Sequence, residues 1–103
     1  MTQPELDLDQ AEHRMAALRS AGYAVAARYD RRRSRVVVEL STGVQLAFPA
    51  ELAEGLSSAS PENLARIEIS PAGLGLHWPD LDADVYIPAL LQGIFGSTNW
   101  MAQ

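Results

Sequence analysis

Between Gly73 and Val85 the chain reads GLGLHWPDLDADV, which sets His77 close to three alternating carboxylates, Asp80, Asp82 and Asp84. Imidazole and carboxylate together are the residue types of acid–base catalysis and of many metal sites. The pattern Asp80-x-Asp82-x-Asp84 copies the first three ligand positions of an EF-hand loop. Such a loop also needs glycine at its sixth position and glutamate at its twelfth. Val85 and Leu91 stand there, so the calcium template fails. A transition-metal site takes three or four donors. The chain has no cysteine, and its other histidine, His13, falls in a separate segment. The favoured reading is therefore structural. Asp80 caps the turn after Trp78-Pro79, Asp82 or Asp84 accepts bonds from loop amides, and His77 pairs with one of these carboxylates. His77, Trp78 and Pro79 are read as a strand end and its turn, with no catalytic, metal or cofactor-binding residue assigned and no cofactor expected.

Nucleophilic catalysis finds no more support. The serines at 41, 57, 58, 60, 70 and 97 stand in no Gly-x-Ser-x-Gly elbow, and Gly73-x-Gly75 lacks the remainder of a phosphate loop. A third chemistry lies in RYDRRRSR, where Arg28, Arg31, Arg32, Arg33 and Arg35 supply five of the eight basic residues. Arginines on a hairpin can reach nucleic-acid phosphates. No aromatic is interleaved with them and no helix-turn-helix pattern appears, so a solvated tip or a protein contact is preferred.

The elements that must carry these residues are legible from periodicity. In DLDQAEHRMAALRSAG, Ala11, Met15 and Leu18 recur at helical spacing, with Asp9 and Glu12 as a capping box, or Asp7 and Gln10 as the alternative. Gly22 closes that segment, so a helix is expected near 9–21, packed on one face. Tyr23, Val25, Ala27 and Tyr29 then alternate with smaller or charged residues. So do Val36, Val38 and Leu40, and Val44, Leu46 and Phe48. A polar loop over 30–34 and the turn Ser41-Thr42-Gly43 join these runs into an antiparallel meander over about 23–48. PAELAEGL reads as one or two helical turns, and SPENLA as another with Ser60 as N-cap and Pro61 at N1. RIEIS, LGLHW and VYI are short strand candidates, LGLHW being stopped by Pro79. IPALLQGIFG is a last helix, with Pro88 at N1, an apolar face of Leu90, Leu91, Ile94 and Phe95, and Gly96 as its cap. STNWMAQ is a frayed tail or a docked one, Trp100 and Met101 favouring some apolar contact. The fold class expected is α+β in two layers, one domain over residues 1–103.

Length and composition agree with that outline. The chain has 103 residues, 48% of them hydrophobic and 20% charged, the balance of an ordinary globular domain. The net charge of −5 opposes nucleic-acid binding by the whole surface. No apolar run nears the roughly 20 residues that span a bilayer, and the acidic N-terminus is not a signal peptide. A cytoplasmic, membrane-free protein is expected, with the absence of cysteine fitting a reducing compartment.

Arg28-Tyr29-Asp30, VVVELSTGVQLAFP, LSSASPENLARIEIS and GLGLHWPDLDADVYIPALLQGIFGSTNWM together resemble the small bacterial family called domain of unknown function 2442. The likeness runs from about Tyr23 to Met101. Its most specific parts are the G-x-G-L-H-W-P-x-L-D-x-D segment and the closing Phe95-Gly96-Ser97 to Trp100-Met101. The resemblance implies a small α+β domain with no assigned catalytic residues. It also implies a partner: family genes often lie beside a small protein of the domain of unknown function 4160 family, an arrangement similar to a toxin–antitoxin pair. The function expected is thus a non-enzymatic, antitoxin-like interaction module that neutralises a small partner protein. Candidate partner contacts are Asp80, Asp82, Asp84, Arg31, Arg32, Arg33 and Trp100, and an exposed meander strand leaves room for a homodimer. Two alternatives stand beside it, a DNA-binding transcriptional autoregulator and a small metal-binding or enzyme domain using His77 with Asp80, Asp82 and Asp84.

Overall fold

The computed structural model describes residues 4–103, with side chains from Leu8 onward; Asp7 of the alternative capping box lies outside the described side chains. Helix α1 spans Pro4–Ser20 and leads into a meander of β1 (Ala24–Asp30), β2 (Arg35–Leu40) and β3 (Gln45–Pro49). A single 3₁₀ turn over Ala50–Leu52 and helix α2 (Pro61–Leu64) connect to a second group of strands, β4 (Glu68–Ile69), β5 (Gly75–Trp78) and β6 (Ala83–Tyr86). Helices α3 (Ile87–Leu91) and α4 (Thr98–Met101) close the chain. Each group of strands forms its own antiparallel three-stranded sheet, in the order β1-β2-β3 and β4-β5-β6. The fold is α+β, as its sequence pattern indicates.

The two sheets share one core. Val36, Val38, Leu40 and Phe48 come from the first sheet, and Leu76, Trp78, Ala83 and Val85 from the second. Ala53, Leu56 and Leu64 of the connecting segment and Ile87 and Leu90 of α3 fill the space between them. Trp78 is fully buried, and its indole N–H donates to the Leu64 carbonyl at 3.0 Å, satisfying an acceptor at the end of α2 that has no intrahelical donor. The N-cap of α2 is the expected one, with Ser60 Oγ accepting from the Asn63 amide at 3.3 Å.

Three expectations are corrected. The first strand does not alternate throughout, because a bulge between Ala24 and Ala26 switches its phase. Ala24 is buried, its amide bonded to the Gly73 carbonyl at 2.7 Å, while Val25 faces solvent at 54% exposure. Helix α1 begins at Pro4, which leaves Asp9 and Glu12 inside the helix, where neither can cap it. Nor does it pack on one face. Every described side chain from Leu8 to Ser20 is exposed except the half-buried Arg19. Among its described residues the last turn alone is tied down, by Arg19 Nε donating to the Ala72 carbonyl at 3.0 Å and by the Arg19 guanidinium over the Tyr23 ring at 4.1 Å. The third correction concerns α3. It stops at Leu91 and is closed by Gly93 at φ +79°, not by Gly96. The Gly93 amide donates to Leu90 and the Ile94 amide to Ala89, both at 2.9 Å, the paired bonds of a Schellman motif. Leu90 is consequently buried, while Leu91 and Ile94 turn outward at 43% and 41% exposure.

Candidate functional site

The second sheet places the histidine and the aspartates. In β5, Leu76 and Trp78 point into the core and His77 points out, as period-two alternation requires. His77 lies between Glu68 of β4 and Asp84 of β6 in register. Its Nδ1 is 2.8 Å from Asp84 Oδ1, the short separation of a charge-assisted hydrogen bond. That bond is the largest cause raising the His77 pKa above 6.5; partial desolvation opposes it, and the charges of Asp84, Glu68 and Asp82 add smaller upward contributions. The pairing of this histidine with a carboxylate is as the sequence suggests, and Asp84 is the partner.

The other aspartates have separate surroundings. Asp80 accepts from Arg66 Nη1 at 3.1 Å, an ion pair across the end of α2 and not the turn cap expected of it. Asp82 takes a left-handed conformation, φ 47°, at the last position before β6 and stays exposed. The three carboxylates therefore do not converge on a point. Among the described residues no group of three or more His, Asp or Glu side chains is gathered to hold a metal ion.

The arginine hairpin sits apart from this sheet. Asp30 Oδ1 accepts from the amides of Arg32 and Arg33 at 3.1 and 3.3 Å and so fixes the loop, with Ser34 at φ 55°. Arg31 lies 3.7 Å from Glu62 at the start of α2, an exposed pair of small energetic weight. Arg31 and Asp80 thus attach to opposite ends of one short helix and not to each other.

Trp100 is docked. Its indole N–H donates to the Leu52 carbonyl at 2.7 Å, and Ser97 caps α4 by accepting from the Trp100 amide. Residues with no local signal in the sequence build the seat for this turn. Glu54 Oε1 accepts from the Ser97 amide at 2.7 Å, across 43 positions of chain, and the Glu54 amide donates to the Phe95 carbonyl. The Ser97 main-chain bond, seconded by its side chain, holds the Glu54 carboxyl below its usual value. Gly96 is required here, because a Cβ would lie 2.7 Å from both Glu54 Cβ and Trp100 Cδ1.

Between this seat and β6 runs a groove of about 470 Å³, open to solvent. Ala89, Ile94 and Phe95 give it an apolar wall, and Glu54, Asp82 and Asp84 an acidic rim. Tyr86, 49% exposed, stands where the groove meets a second hollow of about 580 Å³ over Gly75, His77 and Asp84. Glu54 and Tyr86 are functional candidates that sequence reasoning passed over, only the outward position of Tyr86 in the β6 alternation carrying a signal, while Ile94 and Gly96 were read as the face and the cap of the last helix.

Comparison with known proteins yields a family and two solved structures. A family model described as a protein of unknown function (DUF2442) matches residues 24–96. The crystal structure of a protein of unknown function from Rhodospirillum rubrum is similar, at 49% identity and a TM-score of 0.74, over 78% of this chain and 96% of that one. The solution structure of an uncharacterized protein from Chromobacterium violaceum is similar at 34% identity and a TM-score of 0.80, over 93% of this chain and 89% of that one. No curated protein matches the chain.

Proposed function

The chain belongs to the DUF2442 family, and from that membership we propose that it is a non-enzymatic, antitoxin-like interaction module that neutralises a small partner protein by covering it. One observation carries the reading. The groove along β6 combines exposed apolar side chains, Tyr86 and Ile94, with the carboxylates of Asp82 and Asp84 on its rim. An apolar centre with a charged rim is the anatomy of a protein-binding patch, in which the centre contributes affinity and the rim sets partner choice and encounter rate. An acidic rim selects a basic partner surface. The partner implied by the family resemblance is the small neighbouring protein of the domain of unknown function 4160 family. Co-expression tests this: the two proteins co-purify, and any growth defect caused by the neighbour alone disappears. A harmless neighbour that forms no complex refutes it.

The exposed arginine hairpin supports a second reading, a DNA-binding autoregulator. Arg32 and Arg33 project from a loop whose backbone is already fixed by Asp30, which leaves both side chains available to phosphates. A gel-shift assay on the upstream sequence of the chain's own gene, repeated across salt concentrations, decides it, since phosphate contacts give a steep salt slope.

A further inference from the structure

We propose that the outer edge of β6 receives an extended, basic segment of the partner as a fourth strand of the second sheet; this rests on the interaction-module reading and specifies its mode. β6 is the edge strand of that sheet. The Ile87 amide bonds to the Leu74 carbonyl, and the Ser70 amide to the Gly75 carbonyl. Antiparallel pairing alternates, so Val85 and Ala83 exchange bonds with β5, while Asp84 and Tyr86 turn their main-chain groups away from it. The Tyr86 carbonyl, at the N-cap of α3, serves that helix. The Asp84 N–H and C=O and the Tyr86 N–H are left directed at the groove. At the Ala83 end Gly55 packs under the sheet against the core-facing Ala83 side chain, an ideal Cβ on Gly55 lying 3.0 Å from Ala83 Cβ. Free edge and groove therefore coincide over Asp84–Tyr86.

The same geometry states the chemistry of the occupant. Side chains of an added strand alternate between the two faces of the sheet. On one face they meet Ala89, Ile94 and Phe95. On the other they stand beside Asp84, with Glu68 further along the same row. A strand that alternates apolar and basic residues complements both. Main-chain bonds give such a complex its affinity and the alternate side chains its specificity, the general pattern of strand addition.

The test uses amide spectra of the ¹⁵N-labelled full chain titrated with acetyl-Lys-Val-Lys-Val-Lys-amide. Saturable shifts centred on the amides of Asp84 and Tyr86 are expected, with weaker or no binding of the Glu-Val-Glu-Val-Glu counterpart. Two further peptides carry N-methyl groups on alternate amides, in the two opposite phases. One phase should bind and the other bind about tenfold more weakly, because only one set of amides faces β6. Tyr86→Pro removes the outward N–H at a position where an edge strand tolerates proline, and Tyr86→Ala removes the side chain alone. The proline variant should bind about tenfold more weakly than the alanine variant. The inference is overturned by no saturable shift at Asp84 and Tyr86, by equal binding of the two methylated phases, or by equal binding of the two variants. Peptide binding without co-purification of the neighbour removes the antitoxin reading alone, and co-purification without peptide binding removes strand addition alone.

Discussion

Replacing Trp78 by phenylalanine tests the account of the core at the point where both sheets and α2 meet. Trp78 is fully buried and gives its one polar hydrogen to the Leu64 carbonyl, and Leu64 itself is only 3% exposed. Phenylalanine keeps an aromatic ring but removes the donor, leaving a buried carbonyl at the end of α2 unpaired at a cost of about 1–3 kcal/mol. The smaller ring also leaves a void of roughly 40 Å³, which at about 24 cal/mol per Å³ costs another 1 kcal/mol. The combined loss of about 2–4 kcal/mol is a large part of the total stability expected of such a domain. It corresponds to a fall in Tm of roughly 10–25 °C. Urea denaturation followed by far-UV circular dichroism measures it, and an unchanged slope with a lower midpoint shows that stability itself has fallen. The substitution leaves Trp100 as the sole tryptophan, whose emission then reports the docking of α4 separately. A loss below about 0.5 kcal/mol, the range of an ordinary surface change, refutes the claim that the indole hydrogen bond and its packing hold the sheets and α2 together.

The raised His77 pKa contributes stability that is fully present below pH 6.5 and is lost as pH rises through the higher folded value. The difference in Tm between the wild type and Asp84→Asn should therefore be largest at mildly acid pH, where the imidazole is charged and the carboxylate ionised, and shrink in alkali. The His77 ring titration, followed by NMR, should move to lower pH in the variant, though Glu68 and Asp82 remain to raise it somewhat. Gly96→Ala drives a methyl group into Glu54 and Trp100, so it should cost about 1–3 kcal/mol and shift Trp100 emission to the red as α4 undocks. Deleting residues 1–18 removes exposed described side chains and spares Arg19, so urea unfolding should change by less than about 0.5 kcal/mol.

The meander was readable because its strands are half-solvated, and alternation survives in the residue types of VVVEL and VQLAF. The phase of β1 was not, because the bulge at Ala24 is imposed by a partner 49 positions away, the Gly73 carbonyl. Tyr23-Ala24-Val25 alternates just as well in either phase. At α3 two glycines, Gly93 and Gly96, compete as the cap, and the choice lies in a positive φ at one and a tight contact at the other. The histidine–carboxylate pair was half legible: composition supplied the partners, and only cross-strand register selects Asp84 over Asp80 and Asp82. The groove was not legible at all, since Glu54 and Ser97 meet across 43 positions with no pattern linking them.

The unpacked first helix bears on how the protein behaves in solution. The described body and its arm extend 52 Å along the longest axis against 23 Å along the shortest, with a radius of gyration of 15.2 Å. A spherical domain of this length has a radius nearer 13 Å. Friction follows the hydrodynamic radius, which elongation raises at fixed mass, so a monomer should elute from a sizing column ahead of globular standards of 11.2 kDa. Elution volume alone would then mimic a dimer. Light scattering, which weighs the particle without regard to its shape, separates the two, and the same chain shortened to begin at Arg19 should elute where its mass predicts.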